Sequence, residues 1–331
     1  MTEKELRESL GFKDKIVYHY CSLEAMYGIF SNTSFWLTSL ESSNDASELR
    51  LAQKIIAEAL KELKEEYPNE EYQEILNKIE LAPKDKSFNK HKPRHKYYGL
   101  SFVEDKDSLT HWERYANYSS GVCIGFNLAL IDNLFWINAI PNIVSDWLHP
   151  TPIIYSHEEQ LKYAKSSIVA KINGSVKEFE EFKRLEHIYS SIYYAALTTL
   201  KPIFKHTGFL SEKEHRIYLM EGEAETAAKL MKDMINESNT ENHVLFKNIS
   251  KNITNLAAKL KVSKNDKLHG VFKDGIRSYY SLHLKEIWSD SLIPEVVLGP
   301  KCFQNKKELK SFMKQCKLNR TKINVSQIPI R

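Results

Sequence analysis

Within its first forty residues the chain changes its apolar period twice. Ile16-Val17-Tyr18-His19-Tyr20 is a β-branched and aromatic run that reads as a strand over 15–20. Leu23, Met26, Tyr27 and Phe30 then repeat at the spacing of one helical face over 23–31, and Ser34-Phe35-Trp36-Leu37-Thr38-Ser39 returns to a strand. Strand, helix and strand follow one another through very short links, so sheet and helix are mixed from the outset and an α+β architecture is predicted.

The rest of the chain keeps to that mixture. Ser42-Ser43-Asn44-Asp45, with Glu48 a few positions on, supplies capping residues for a long amphipathic helix from Ala46 to about Glu66, rich in Ala, Leu, Lys and Glu and ended by Pro68. Lys84 to Lys96 is polar, basic and broken by proline, hence a loop. Tyr97 to Val103 reads as a strand, Ser108 to Ala116 as a helix and Gly121-Val122-Cys123-Ile124-Gly125-Phe126 as a buried strand, with a shorter strand at Ile153-Ile154-Tyr155. Two helical regions follow, 157–203, broken at Gly174-Ser175, and 224–261. Strands resume at Ser278–Leu284, Glu295–Leu298 and Ile323–Ile328. With no internal repeat and no low-complexity linker, one composite α+β domain over 1–331 is expected, with 157–203 and 224–261 as helical insertions.

Composition excludes several function classes. An apolar fraction of 42% over 331 residues is enough for a sizeable core, and a net charge of +4 with 27% charged residues sets up no global field that compels binding to nucleic acid or membrane. Cys21, Cys123, Cys302 and Cys316 lie far apart and form no Cys-x-x-Cys pair, which reads as free thiols in a reducing compartment. The N-terminal Met1-Thr2-Glu3-Lys4-Glu5-Leu6-Arg7-Glu8 lacks an apolar signal region and no apolar run is long enough to cross a bilayer, so a cytoplasmic protein is expected, with no membrane partner. No Cys/His cluster has zinc spacing and no Gly-rich phosphate loop appears, so no metal is proposed.

Several stretches hold residues able to carry chemistry. In Ser211-Glu212-Lys213-Glu214-His215-Arg216-Ile217-Tyr218-Leu219 two carboxylates stand two residues apart at the mouth of an apparent strand, on one face of it if the chain is already extended there, with Arg216 on that face too. The same residues suit a half-exposed strand edge with cross-strand ion pairs. His19 is an isolated histidine in an apolar strand, which fits a hydrogen-bonded structural group as well as a ligand contact. Trp36, Trp112 and Tyr115 suit the core or a pocket wall. Lys90, Lys92, Arg94 and Lys96, with Phe88, Tyr97 and Tyr98 nearby, match a phosphate backbone with some base stacking, or a solvated loop. Asn44-Asp45 with Glu48 reads as a helix start.

Taken together, Tyr18-His19-Tyr20-Cys21-Ser22, Phe35-Trp36-Leu37-Thr38-Ser39 with Asn44-Asp45 and Glu48, Ser101-Phe102 with Trp112 and Tyr115, Gly121 to Phe126, Glu212-Lys213-Glu214-His215-Arg216 and Val297-Leu298-Gly299-Pro300-Lys301 resemble the domain-of-unknown-function 2971 family. That family name carries no function. The order of a histidine-bearing strand, helix, strand and late Glu-x-Glu also resembles the ADP-ribosyltransferase fold, in which a split mixed β-sheet clamps NAD. That second resemblance implies NAD as a substrate. His19 would hold the adenosine-side ribose, Trp36 or Tyr115 would sandwich the nicotinamide, and Glu214 would engage the nicotinamide ribose. Tyr20, Ser39, Trp112 and Arg216 complete the cofactor-binding set it implies, with Glu212 as the group that orients or deprotonates an acceptor. The chain departs from that pattern in having Cys21 and Ser22, with no Thr, after the histidine.

The expected function is therefore an NAD-dependent ADP-ribosyltransferase or NAD glycohydrolase with a nucleic-acid or protein acceptor. A toxin or antiphage defence effector, with an antitoxin or regulatory partner, is the setting that the fold resemblance implies. The alternative is a non-catalytic module that binds nucleic acid or protein through the 84–96 loop and the helical insertion.

Overall fold

The computed structural model describes residues 15–40, 48–84, 96–136, 150–173, 188–221, 266–272 and 275–329, without the side chains of residues 48–49 and 133–136. In chain order its elements begin with β1 (Ile16–Cys21), α1 (Leu23–Asn32), β2 (Ser34–Ser39), α2 (Glu48–Glu66), α3 (Glu70–Leu81) and β3 (Tyr97–Phe102). Next come α4 (Leu109–Tyr115), β4 (Val122–Asn127), α5 (Leu128–Trp136), β5 (Thr151–Pro152), α6 (His157–Ile172) and α7 (Ile188–Leu200). The last are β6 (His215–Met220), β7 (Leu268–Phe272), β8 (Gly275–His283), β9 (Glu295–Leu298), α8 (Lys306–Gln315) and β10 (Lys322–Val325). The class is α+β, as predicted.

Where one composite domain is expected, two compact units are found. One is drawn from Met1–Ser39, Tyr97–Pro152 and Glu212–Arg331, the other from Leu40–Lys96 and Ile153–Ser211. The physical reason is that α6 and α7, from the expected insertion, bury their apolar faces against α2 and α3. In this helical unit α2 contributes the buried stripe Ala52, Ile55, Ile56, Ala59, Leu60 and Leu63 at helical spacing. Lys165 of α6 pairs with Glu62 and Glu66 of α2 at 2.8 and 2.6 Å. The second expected insertion, 224–261, lies outside the described residues. Among those residues no helix is long and apolar enough to cross a membrane.

The first unit holds both sheets. β1-β4-β9-β10 form a four-stranded sheet in which only the β9–β10 pair is parallel, and β5-β6-β3-β2-β8-β7 form a six-stranded antiparallel sheet. β3 links them at its end. Tyr18 of β1 and Val103, just past β3, exchange two main-chain hydrogen bonds of 2.8 Å. β2 and β3 pair only through Thr38↔Gly99 and Ser39↔Tyr98, so from Leu37 back to Ser34 β2 is held by β8 alone and a seam opens between β1 and β2. Alternation places Phe35, Leu37, Leu100, Phe102, Ile217 and Leu219 in the core, and Phe35 meets Phe102 and Phe126 edge-on at 5.7 and 4.9 Å.

Two strand expectations shift. The strand expected at Ile153-Ile154-Tyr155 lies at Thr151–Pro152, where it pairs with β6, and Ile154 makes only an isolated bridge to Phe204. The strand expected to reach Ile328 stops at Val325, since Ser326 Oγ and Gln327 N–H both donate to the Asp107 carboxylate, at 2.5 and 2.8 Å.

Candidate functional site

The seam between β1 and β2 is occupied by a cavity of about 470 Å³ whose walls include His19, Gly28, Ser34, Trp36, Thr38 and Phe272. Local structure makes its shape. α1 is started by Ser22, whose Oγ accepts from Ala25 N–H at 3.2 Å, and is ended by Thr33 in the left-handed region at φ 47°, which turns the chain straight into β2. The strand–helix–strand unit, Ile16 to Ser39, therefore wraps one end of the cavity.

His19 projects from β1, and its Nδ1 donates to the Ser101 carbonyl at 3.1 Å. Burial lowers its pKa from the ordinary histidine value, and the bond to the carbonyl only partly offsets this. The ring is thus neutral near pH 7 with its proton on Nδ1, and Nε2 is left as a hydrogen-bond acceptor. Ser101 reaches the other way through its side chain. Its hydroxyl donates to Glu214 Oε1, and Arg216 Nε donates to the same oxygen at 2.7 Å. Glu214 and Arg216 are 3% and 2% exposed, so this is a charge-assisted bond sealed from solvent. An imidazole and a carboxylate thereby hang on one serine, across 82 and 113 residues of sequence respectively. His19 and Trp36 line the cavity, whereas Glu214 stands behind Ser101 and is not among the lining residues.

Ser101 is the functional candidate that residue-by-residue reading passes over. Its signal is faint: one small hydroxyl in the otherwise apolar strand Tyr97-Tyr98-Gly99-Leu100-Ser101-Phe102.

The Glu-x-Glu expectation needs correction. Glu212 closes a 3₁₀ turn over Thr207–Glu212, Lys213 takes a left-handed φ of 42°, and the strand begins only at His215. Glu212 and Glu214 therefore do not share a strand face. Glu212 is buried, accepts from the Tyr115 hydroxyl at 2.9 Å and has Arg114 at 3.9 Å.

Nor do the other expected aromatic residues reach the cavity. Tyr20 lies next to His19 on β1 and so points to the opposite face, where its ring meets Trp112 edge-on at 4.8 Å. Its hydroxyl donates to the Asp105 carbonyl at 2.9 Å and accepts from Ser108 N–H at 3.0 Å. Trp112 is fully buried and donates to Asp107 at 2.7 Å, and Tyr115 stacks on His111 at 5.9 Å. Ser39 ends β2 opposite Tyr98 and is not among the residues lining the cavity. Lys96 is exposed just before β3, while Lys90, Lys92 and Arg94 lie outside the described residues.

Beside the site, His215 Nε2 lies 3.2 Å from Glu104, which also pairs with Lys15 at 2.5 Å. Burial lowers the His215 pKa, against the pull of the Glu104 carboxylate. Among the described residues no group of three or more His, Cys, Asp and Glu is placed to hold a metal ion.

Compared with known proteins, the chain matches one family model, described as "Protein of unknown function (DUF2971)", over residues 111–217, from α4 into the first residues of β6. The match takes in Trp112, Tyr115, Glu212, Glu214 and Arg216. His19, Trp36 and the Val297 to Lys301 stretch lie outside it. No curated protein and no solved structure matches the chain.

Proposed function

For a chain that matches the DUF2971 family model over residues 111–217, a name without an activity, we propose an NAD-dependent ADP-ribosyltransferase, or an NAD glycohydrolase where water takes the acceptor's place. The observation that carries this reading is the single serine holding Glu214 on its hydroxyl and, on its carbonyl, His19, which with Trp36 lines the cavity. Two sheets bridged at Tyr18 and Val103, with a cavity at the seam, support an ADP-ribosyltransferase-like split sheet.

The chemistry follows from the groups. Breaking the nicotinamide–ribose bond sends the electron pair to the nicotinamide and leaves an oxocarbenium-like sugar, whose positive charge a fixed carboxylate stabilises. Glu214 is that carboxylate, oriented by Arg216. The Nε2 lone pair of neutral His19 suits a ribose hydroxyl, which donates. Trp36, 39% exposed, offers its ring to the planar nicotinamide. A volume of about 470 Å³ lies within the range of small-molecule sites. The acceptor is a protein or nucleic acid, and a toxin or defence effector is the role such an activity would serve.

Incubation of the purified full chain with NAD and cell extract, with released nicotinamide measured, tests the reading. Release is expected, and Glu214→Gln is expected to lower it by about 100-fold or more, the usual effect of removing a group aimed at developing charge. Release undiminished in that variant overturns the assignment. A binding module without catalysis is the second reading, favoured by the burial of Glu214 in its bond to Arg216. That reading predicts no release, together with salt-dependent nucleic-acid binding lost on neutralising Lys90, Lys92, Arg94 and Lys96.

A further inference from the structure

A second cavity, of about 510 Å³, shares Ser34 and Trp36 with the first as a common wall, and nothing in the NAD chemistry uses it. Its other walls include Asn32, Asp266, Tyr279, Ser281 and His283. The register explains the grouping. Ser34↔His283, Trp36↔Ser281 and Thr38↔Tyr279 are cross-strand partners, so these side chains lie on one face of β2 and β8.

Within that face two rings form a platform. Trp36 stacks on Tyr279 with centroids 4.2 Å apart and planes 23° from parallel, and Phe272 meets the indole edge-on at 5.7 Å. β7 yields space for the stack at Gly270. A Cβ there would stand 3.1 Å from Tyr279 Cε1 and 3.4 Å from Trp36 Cζ3. The rings are thus seated on backbone and fixed in position without a ligand. Beside them stand one carboxylate, one amide, two serine hydroxyls and one imidazole.

We propose that this second cavity is a binding subsite for a guanine base. A rigid pair of stacked aromatic side chains favours a planar π-ligand. The Asp266 carboxylate only accepts hydrogen bonds, and it does so best from two adjacent donors. Guanine alone among the common bases presents two adjacent N–H donors, N1–H and the exocyclic N2–H, on its Watson–Crick edge. Adenine, cytosine and uracil or thymine present a donor beside an acceptor there. Asn32 and Ser281 offer donors for the guanine carbonyl. The volume suits a whole nucleoside and is far larger than a lone guanidinium group needs. The inference shares Trp36 with the NAD reading but uses neither His19 nor Glu214.

Isothermal titration of the full chain with guanosine 5′-monophosphate, adenosine 5′-monophosphate and agmatine tests it. Saturable binding of the guanosine nucleotide is expected, at least about 10-fold tighter than that of the adenosine nucleotide, with weakening of about 10- to 100-fold in Asp266→Asn. Gly270→Val, which presses on both rings, is expected to weaken binding as well, and far-UV circular dichroism of both variants checks that they fold. His19→Ala is expected to leave guanosine nucleotide binding unchanged, which separates failure of this subsite from failure of the NAD reading. No saturable heat, equal affinity for the two nucleotides, displacement by agmatine, or full affinity in a folded Asp266→Asn would each overturn the proposal.

Discussion

Arg216 holds Glu214 in a place where neither charge meets solvent, and the consequences of breaking that pair are asymmetric. Arg216→Leu strands a buried carboxylate without its guanidinium and is expected to destabilise the protein by about 3–5 kcal/mol, read from urea unfolding. The double variant Glu214→Leu, Arg216→Leu is expected to recover most of that loss, because no uncompensated charge remains. Ser101→Ala is a finer probe. It removes the hydroxyl that donates to Glu214 and keeps the carbonyl that holds His19. A stability loss of about 1 kcal/mol is expected. On the NAD reading kcat falls while KM holds, since the carboxylate serves only the charged transition state. At this scale His19, Trp36 and Glu214 are legible in the sequence as residue types in telling places. Ser101 is not, because its importance lies wholly in two partners that chain connectivity puts far away. Glu212 misleads for the opposite reason: spacing puts it on a strand face, and one left-handed residue, Lys213, takes it off.

The elements themselves are the most legible level. β1, α1, β2, β3, α4, β4 and β9 stand within a residue or two of where their apolar patterns put them, since each buries apolar side chains and its sequence has to show them. α3 carries Tyr72, Ile75, Leu76 and Ile79 at helical spacing behind the capping residue Asn69, so its signal is present in the sequence too. β5 shows no such signal, being two residues long and defined only by pairing with β6. How closely elements approach is likewise hidden. At Gly121, where the chain enters β4, a Cβ would stand 2.2 Å from the Cys21 carbonyl oxygen and 2.9 Å from that of Ala116. Gly121→Ala is therefore expected to cost roughly 1–3 kcal/mol or more, as overpacking does, and to appear as a lower Tm in calorimetry.

Over the whole molecule, two histidines, the buried His215 and the partly exposed His19, tie stability to pH. The pKa of His19 and of His215 is lowered, each by burial first, so the unfolded chain binds more protons than the folded one between those lowered values and the ordinary histidine value. Stability accordingly rises with pH through that window and is lost as pH falls below about 6.5, the unfolded histidine value. A lower urea midpoint at pH 5 than at pH 7 is expected, with a smaller difference in His215→Gln. Glu104, whose pKa is lowered first by its bond to Lys15, adds a loss only at more acidic pH, below the ordinary carboxylate value. A midpoint unchanged from pH 7 to pH 5 would show that the histidines are not held neutral.

The α+β class, most strands and helices, and the residue types able to do chemistry follow from the sequence alone, because each rests on periodicity or chemical character within a short window. Tertiary structure decided the rest: the separation of the helices into their own unit, the face to which each aromatic of β1 and α4 turns, and the meeting of His19 with Glu214 through Ser101. Such contacts join residues about a hundred positions apart, and which distant groups meet is set by how whole strands pair and splay, a cooperative outcome that no local pattern contains.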